Sequence, residues 1–267
     1  MILAEILASK RREIAELRAR PRKRASRTPL DVLRAVRRDG GVLRLITEVK
    51  LRSPSGGVLS RVLAPDARAL VYARGGAALV SVLCDGPFFD GSWDHLAAAR
   101  GRLDAAGLSV PLLAKEFVLD ERQLAEARDR GADAVLLIAR IVDGARLKEL
   151  TRAARDEGME PLVEVVDEPE LAAALSAGAR IIGVNARDLD SLAMDAARAA
   201  RVLDAVPAGI VAVHLSGLKV PADVERVAQG RGDAALVGEA LMRQDDPRPA
   251  LVAMVKAAAA RVGRQDP

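Results

Sequence analysis

The sequence predicts an α/β chain folded as a (β/α)8 barrel of the TIM type, preceded by a helical amino-terminal extension. Three observations carry that expectation. Eight apolar runs of strand length alternate with Ala-, Leu- and Arg-rich helical stretches. The runs are nearly continuous in apolar character, as strands of a parallel sheet covered by helices must be. Side chains capable of chemistry gather at the carboxyl ends of the runs, where such a barrel places its active groups. The expected organisation is an extension over residues 1–41 and a barrel over 42–267, a single domain overall. An open doubly wound sheet is the alternative, but no G-x-G-x-x-G follows the first run, which disfavours a dinucleotide site.

In chain order, Leu3, Ile6, Leu7, Ile14 and Leu17 fall near helical spacing, so residues 1–18 are expected to form an amphipathic helix that Pro21 ends. A basic connector runs to Pro29, and residues 30–38 read as a second short helix closed by Gly40-Gly41. Strands are expected at 43–50, 77–83, 110–114, 134–138, 161–166, 180–184, 209–213 and 234–237. Helices are expected at 66–74, 120–130, 144–157, 169–177, 195–205, 221–229 and 247–261. Several of these have an Asp or Pro at the start and a Gly after the end, as with Asp120 and Gly131 or Glu168-Pro169 and Gly178.

Composition narrows the function classes. The chain has 267 residues, 50% of them hydrophobic, ample for one large core. Cys84 is the single cysteine, so no intrachain disulfide forms and a cysteine-built metal site is excluded. The apolar start, residues 1–7, is interrupted too early by Glu5 and Lys10-Arg11-Arg12 to be a signal peptide, and no apolar run is long enough to span a bilayer. A cytoplasmic protein with no membrane partner is expected. The net charge of +4 is unevenly spread: residues 10–27 hold nine Lys or Arg and two Glu, which leaves the rest mildly acidic. With five aromatic residues in the whole chain, a stacking platform for nucleic acid is not expected, and the basic stretch reads as a solvated helix and linker.

The chemistry starts in the first strand. Alternation puts Ile46, Glu48 and Lys50 on one face and Leu45, Thr47 and Val49 on the other. An acid and a base on one face are costly to bury unless they meet each other or a charged ligand. The loop that follows, Ser53-Pro54-Ser55-Gly56-Gly57, has the composition that closes on an anion. Lys115 shares the face of Leu113 and Phe117, Glu164 that of Leu162, and Asn185 and Arg187 follow Ile181 and Gly183. Lys50, Lys115, Glu164, Asn185 and Arg187 thus come from four strands, with the same parity at the same end, and point to a shared catalytic pocket. Ser216-Gly217 and Gly238 end the last two strands, where barrels often hold a phosphate by backbone N–H groups.

These residues resemble a known family. Glu48-x-Lys50-x-x-Ser53-Pro54-Ser55, Lys115-Glu116-Phe117, the run from Gly131 to Ile138, Leu162-Val163-Glu164-Val165, Ile182-Gly183-Val184-Asn185-x-Arg187-x-Leu189 and Val237-Gly238-Glu239-x-Leu241-Met242 are similar to indole-3-glycerol phosphate synthases, the decarboxylating ring-closure enzymes of tryptophan biosynthesis. The likeness covers nearly the whole chain, extension included. It implies a phosphorylated small-molecule substrate, 1-(2-carboxyphenylamino)-1-deoxyribulose 5-phosphate, no cofactor or metal, and a monomer or weak homo-oligomer. It further implies that Lys115 protonates the ribulose carbonyl oxygen and that Glu164 is the general base. Lys50 would pair with the substrate carboxylate and serve in dehydration, oriented by Glu48. Asn185 would position the substrate, with Ser53, Ser55, Arg187, Leu189 and Leu215 as further contacts. Phe117 and Leu136 would line the anthranilate slot, and Ser216, Gly217, Gly238 and Glu239 the phosphate seat.

Departures from the family pattern stand beside the likeness. Leu215 occupies a position where a pocket carboxylate is usual, Glu116 follows Lys115 in place of Asp, Gly56 replaces a loop lysine, Ala186 an Asn, and Glu239 a Ser found in some members. His214 has the parity of the outer face and is not expected to replace the carboxylate. The alternative to an active synthase is a weakened relative that binds a sugar phosphate or a partner, or one that acts on a modified anthranilate; another sugar-phosphate isomerase or synthase on the same barrel is a third reading.

Overall fold

A computed structural model describes residues 2–17, 27–54, 56–188 and 191–259. The strands are β1 (Arg44–Val49), a small antiparallel ribbon of β2 (Arg52–Ser53) and β3 (Gly57–Val58), then β4 (Leu79–Leu83), β5 (Leu112–Lys115), β6 (Ala134–Ile138), β7 (Glu160–Val165), β8 (Ile181–Val184), β9 (Val211–His214) and β10 (Ala234–Val237). Apart from the ribbon, they form a closed parallel barrel in which β1 pairs with β10 on one side and β4 on the other. The helices are α1 (Ile2–Leu17), α2 (Val32–Val36), α3 (Pro65–Arg74), α4 (Gly86–Phe89), α5 (Trp93–Ala105), α6 (Glu121–Asp129), α7 (Gly144–Asp156), α8 (Glu168–Ser176), α9 (Ala196–Asp204), α10 (Pro221–Ala228), α11 (Glu239–Met242) and α12 (Arg248–Ala258). All eight expected barrel strands are present, two with the expected ends and the others with ends shifted by at most two residues.

Strand parity sorts the core into two shells. Leu45 and Val49, Val80 and Val82, Leu112 and Ala114, and Val135 and Leu137 pack outward against the helices. Ile46, Leu79, Leu113, Leu136, Leu162, Ile181, Val213 and Leu236 pack inward. Inward side chains beyond this filled layer emerge at the two ends of the barrel, and the charged residues of the candidate site do so at the carboxyl end. The helix starts are fixed locally: the side chains of Asp120, Asp143, Asp167 and Asp195 each accept a backbone N–H of the following helix.

The extension belongs to the same core. Leu3 and Ile6 of α1 and Val32 and Val36 of α2 are buried in the inner cluster. The connector to α2 is pinned by Asp133, fully buried at the foot of β6, whose carboxylate accepts the N–H groups of Leu30 at 2.8 Å and Leu112 at 2.9 Å and pairs with Arg27. Asp133→Asn is expected to cost about 1–3 kcal/mol, because it removes the charge that these donors share; chemical denaturation checks it. The basic stretch is not wholly solvated as expected. Lys10 is fully buried, drawn in by carboxylates far away in sequence, while residues 18–26 lie outside the described residues.

Candidate active site

Two ion pairs stand at the carboxyl end of the barrel. Lys50, just past β1, lies 2.8 Å from Glu48, which is 4% exposed. Lys115, the last residue of β5, lies 3.1 Å from Glu164 of β7. Burial pushes the Glu48 pKa up, but the charges of Lys50 and Lys115 outweigh it and hold the carboxyl below its ordinary value. Burial likewise pulls the Lys115 pKa down, and Glu164 and Glu48 more than reverse that, so its ammonium is held above the usual lysine value. Both groups are thereby kept charged.

The second pair continues into a hydrogen-bonded chain. Asn185 donates to the other Glu164 oxygen at 2.8 Å, and its own Oδ1 accepts from the Ser216 hydroxyl at 2.7 Å and the Arg187 N–H at 2.9 Å. The Ser216 oxygen also accepts the Ala186 N–H at 3.0 Å. Glu164 therefore has one oxygen on a proton donor and the other on a fixed amide, an arrangement that holds a carboxylate in one orientation.

These groups floor a cavity of about 160 Å³, whose wall is apolar: Phe89, Phe117, Leu136, Ile138 and Leu215 from the barrel, with Ile2, Leu3 and Ile6 from α1 closing it from above. The rings of Phe89 and Phe117 are 6.0 Å apart. Ser53 lines the cavity and its hydroxyl accepts the Gly56 N–H at 2.9 Å, which shapes the loop after β1. A second recess of about 410 Å³ adjoins it through Glu48, Lys50, Arg187, Leu215 and Ser216, and continues over Gly217, Lys219, Gly238 and Arg243. Gly217 has a φ of +92°, a conformation that suits glycine.

The structure thus brings together Glu48, Lys50, Ser53, Lys115, Phe117, Leu136, Glu164, Asn185, Arg187, Leu215 and Ser216 in one cavity, and Gly217, Gly238 and Glu239 in the recess beside it. Ser55 and Leu189 lie outside the described residues. The Glu239 carboxylate is turned to Arg243 at 2.7 Å, and a Cβ on Gly56 would stand 3.1 Å from its other oxygen, so this side chain lies close against the loop after β1. Sequence reasoning passed over Ile2, Leu3 and Ile6, Phe89, Lys219 and Arg243 as site residues. The apolar stripe of the first helix and the rarity of aromatic residues were the signals available. His214 lies in a separate crevice with Met194 and Asp223, and burial lowers its pKa, in keeping with an outer-face histidine.

The profile of the family described as indole-3-glycerol phosphate synthase matches residues 3–254. The chain belongs to this family. An indole-3-glycerol phosphate synthase of Mycobacteroides abscessus is 42% identical over 88% of this chain and 84% of that one. Indole-3-glycerol phosphate synthase 1 of Streptomyces coelicolor is 40% identical over 96% of this chain and 95% of its own length. Among solved structures, a 3-hexulose-6-phosphate synthase superposes with a TM-score of 0.63 at 15% identity, over 80% of this chain and 99% of that one, a likeness of fold.

Against the family pattern, Leu215 is the departure with a physical consequence. It is 5% exposed and packs so closely over Gly183 that a Cβ there would lie 2.5 Å from a Leu215 methyl carbon. Leu215→Glu would set a third carboxylate among Glu48 and Glu164 within reach of the lysines. We expect kcat/KM to hold or rise and thermal stability to fall; a folded variant more than tenfold less active would show a pocket built around leucine.

Proposed function

We propose that this chain is an indole-3-glycerol phosphate synthase, closing the pyrrole ring of 1-(2-carboxyphenylamino)-1-deoxyribulose 5-phosphate with loss of CO2 and water. The observation that carries this reading is the pair of lysine–carboxylate couples set around one cavity, with an apolar wall and an adjoining cationic, glycine-ended recess. The anthranilate ring fits the apolar wall, with Phe117 and Leu136 against its faces, and the phosphate fits the recess near Ser216, Gly217 and Gly238, where Lys219 and Arg243 add positive charge.

Lys115 gives its proton to the ribulose carbonyl oxygen as the ring carbon bearing the carboxylate attacks the carbonyl carbon. The bond to CO2 then breaks and its electron pair restores the aromatic ring. The new hydroxyl leaves as water, protonated by a lysine ammonium, while Glu164 takes the proton lost in forming the pyrrole double bond. Lys50, oriented by Glu48, meets the substrate carboxylate before it departs and serves the dehydration. Asn185 holds Glu164 in place, Arg187, Ser53 and Ser55 face the polar part of the substrate, and Leu189 and Leu215 complete the walls. Glu239 serves the phosphate seat through its backbone at the start of α11, its side chain being engaged with Arg243.

The protein is further proposed to act in the cytoplasm as a monomer or weak homo-oligomer, in keeping with a lone, buried cysteine; light scattering across a concentration series tests the assembly. No helix among the described residues is long and apolar enough to cross a membrane. The activity is tested by a steady-state assay with the carboxyphenylamino-deoxyribulose phosphate, following indole fluorescence. Turnover is expected; bound substrate with no turnover would overturn the synthase reading in favour of a ligand-binding relative.

A further inference from the structure

A buried charge cluster lies beside the cavity, and it is centred on the extension. The ammonium of Lys10, on α1, is surrounded by three carboxylates: Asp85 at 2.7 Å, Glu13 at 2.8 Å and Glu116 at 3.1 Å. Lys10 and Asp85 are fully buried and Glu116 is 2% exposed, whereas Glu13 sits at the solvent edge. The two buried acids belong to different loops. Asp85 follows β4 and accepts the Phe88 N–H at 2.9 Å, which caps α4 and sets Phe89. Glu116 directly follows Lys115 and accepts the Phe117 N–H at 2.7 Å. One lysine from outside the barrel therefore bridges the two carboxyl groups that shape the loops carrying Phe89, Lys115 and Phe117.

We propose that Lys10 is a positioning residue for the ring closure, coupling the docking of α1 to the placement of Lys115 and of the Phe89–Phe117 wall. The part concerning the reaction rests on the synthase reading; the coupling itself does not. Two adjacent carboxylates cannot both stay ionised in a buried site without a cation. The Lys10 ammonium reaches them only when α1 is seated, with Leu3 and Ile6 in the inner cluster and the cavity closed from above. Seating α1 thus brings one ammonium to the carboxyl groups of both loops at once.

The groups acting on Glu116 are Lys10 from α1, Asp85 and the Cys84 thiol from the loop after β4, and the Phe117 N–H, while Glu13 of α1 shares the Lys10 ammonium. Burial raises the Glu116 carboxyl to about 7 even with Lys10 present.

The test uses the full chain and three variants, assayed well below their melting temperatures. For Lys10→Met we expect kcat to fall tenfold or more at pH 7 with KM changed less than threefold. Lys10→Arg should recover at least half of the loss. In Lys10→Met, amide hydrogen exchange should speed up at least tenfold both in α1 and at residues 115–118. A folded Lys10→Met protein with wild-type kcat, or faster exchange confined to α1, would overturn the proposal. Should Lys10→Met fail to fold, Glu116→Gln decides: lowered kcat with faster exchange both in α1 and at residues 115–118 supports the coupling, and faster exchange confined to one of the two sinks it. If the wild-type chain shows no turnover, the synthase reading fails by itself, and joint or separate loss of exchange protection in a folded lysine or glutamate variant still decides the coupling.

Discussion

Lys115→Met is expected to lower kcat by about 10²–10⁴-fold, the range that a positioned general acid contributes, while the chain keeps its fold. Methionine retains most of the lysine stem and its packing at the end of β5. What is removed is the ammonium 3.1 Å from Glu164. Glu164 is 2% exposed, so losing its cation leaves a buried charge without its partner lysine. The single variant should therefore be inactive and somewhat less stable. Lys115→Met combined with Glu164→Gln removes both charges; it should be as inactive as the single variant but closer to wild type in stability. Single-turnover fluorescence and thermal melts read the two effects separately. Near-normal turnover in folded Lys115→Met would remove this lysine from the mechanism.

The barrel and the polar end of its site were legible because both follow from short-range rules. Period-two alternation put Glu48 with Ile46 and Glu164 with Leu162, and those pairs do face inward together. Helix starts at Asp120 and Asp143 follow from side chains bonding to backbone only two or three residues away. The part that was not legible depends on contacts between distant residues. Lys10 reads as one of nine basic residues in a solvated arm, and only the fold places it against Asp85 and Glu116. The stripe of Leu3 and Ile6 announces a face to be buried but carries no statement of what it covers. Phe89 belongs to α4, a turn of helix too short for periodicity to reveal, and α5 and the β2–β3 ribbon were equally missed. Glu239 matched a phosphate-seat position in sequence, yet its side chain engages Arg243, a pairing four residues along the chain that a motif comparison does not weigh.

Gly238→Ala is expected to lower kcat/KM by roughly 10²-fold, a loss of about 3 kcal/mol at the upper end of what one added methyl group costs in a filled interior. A Cβ on Gly238 would stand 2.6 Å from a Glu48 carboxylate oxygen and 3.2 Å from the Glu48 Cβ. Glu48 is buried at 4% exposure and engaged with Lys50 at 2.8 Å, so its head has little freedom to move aside. The Gly238 backbone, with φ −114° and ψ −81°, is not in the left-handed region, so the loss arises from space rather than strain in the turn. The methyl group also enters the recess where we place the phosphate, so KM should rise as kcat falls. A double-mutant cycle separates the two causes. In a Glu48→Gly background every contact with the Glu48 side chain is gone, and any remaining cost of Gly238→Ala belongs to the phosphate seat alone. Strong coupling, with the second substitution costing less than threefold, would place the glycine in service of the Glu48–Lys50 pair. Additive losses would place it at the phosphate.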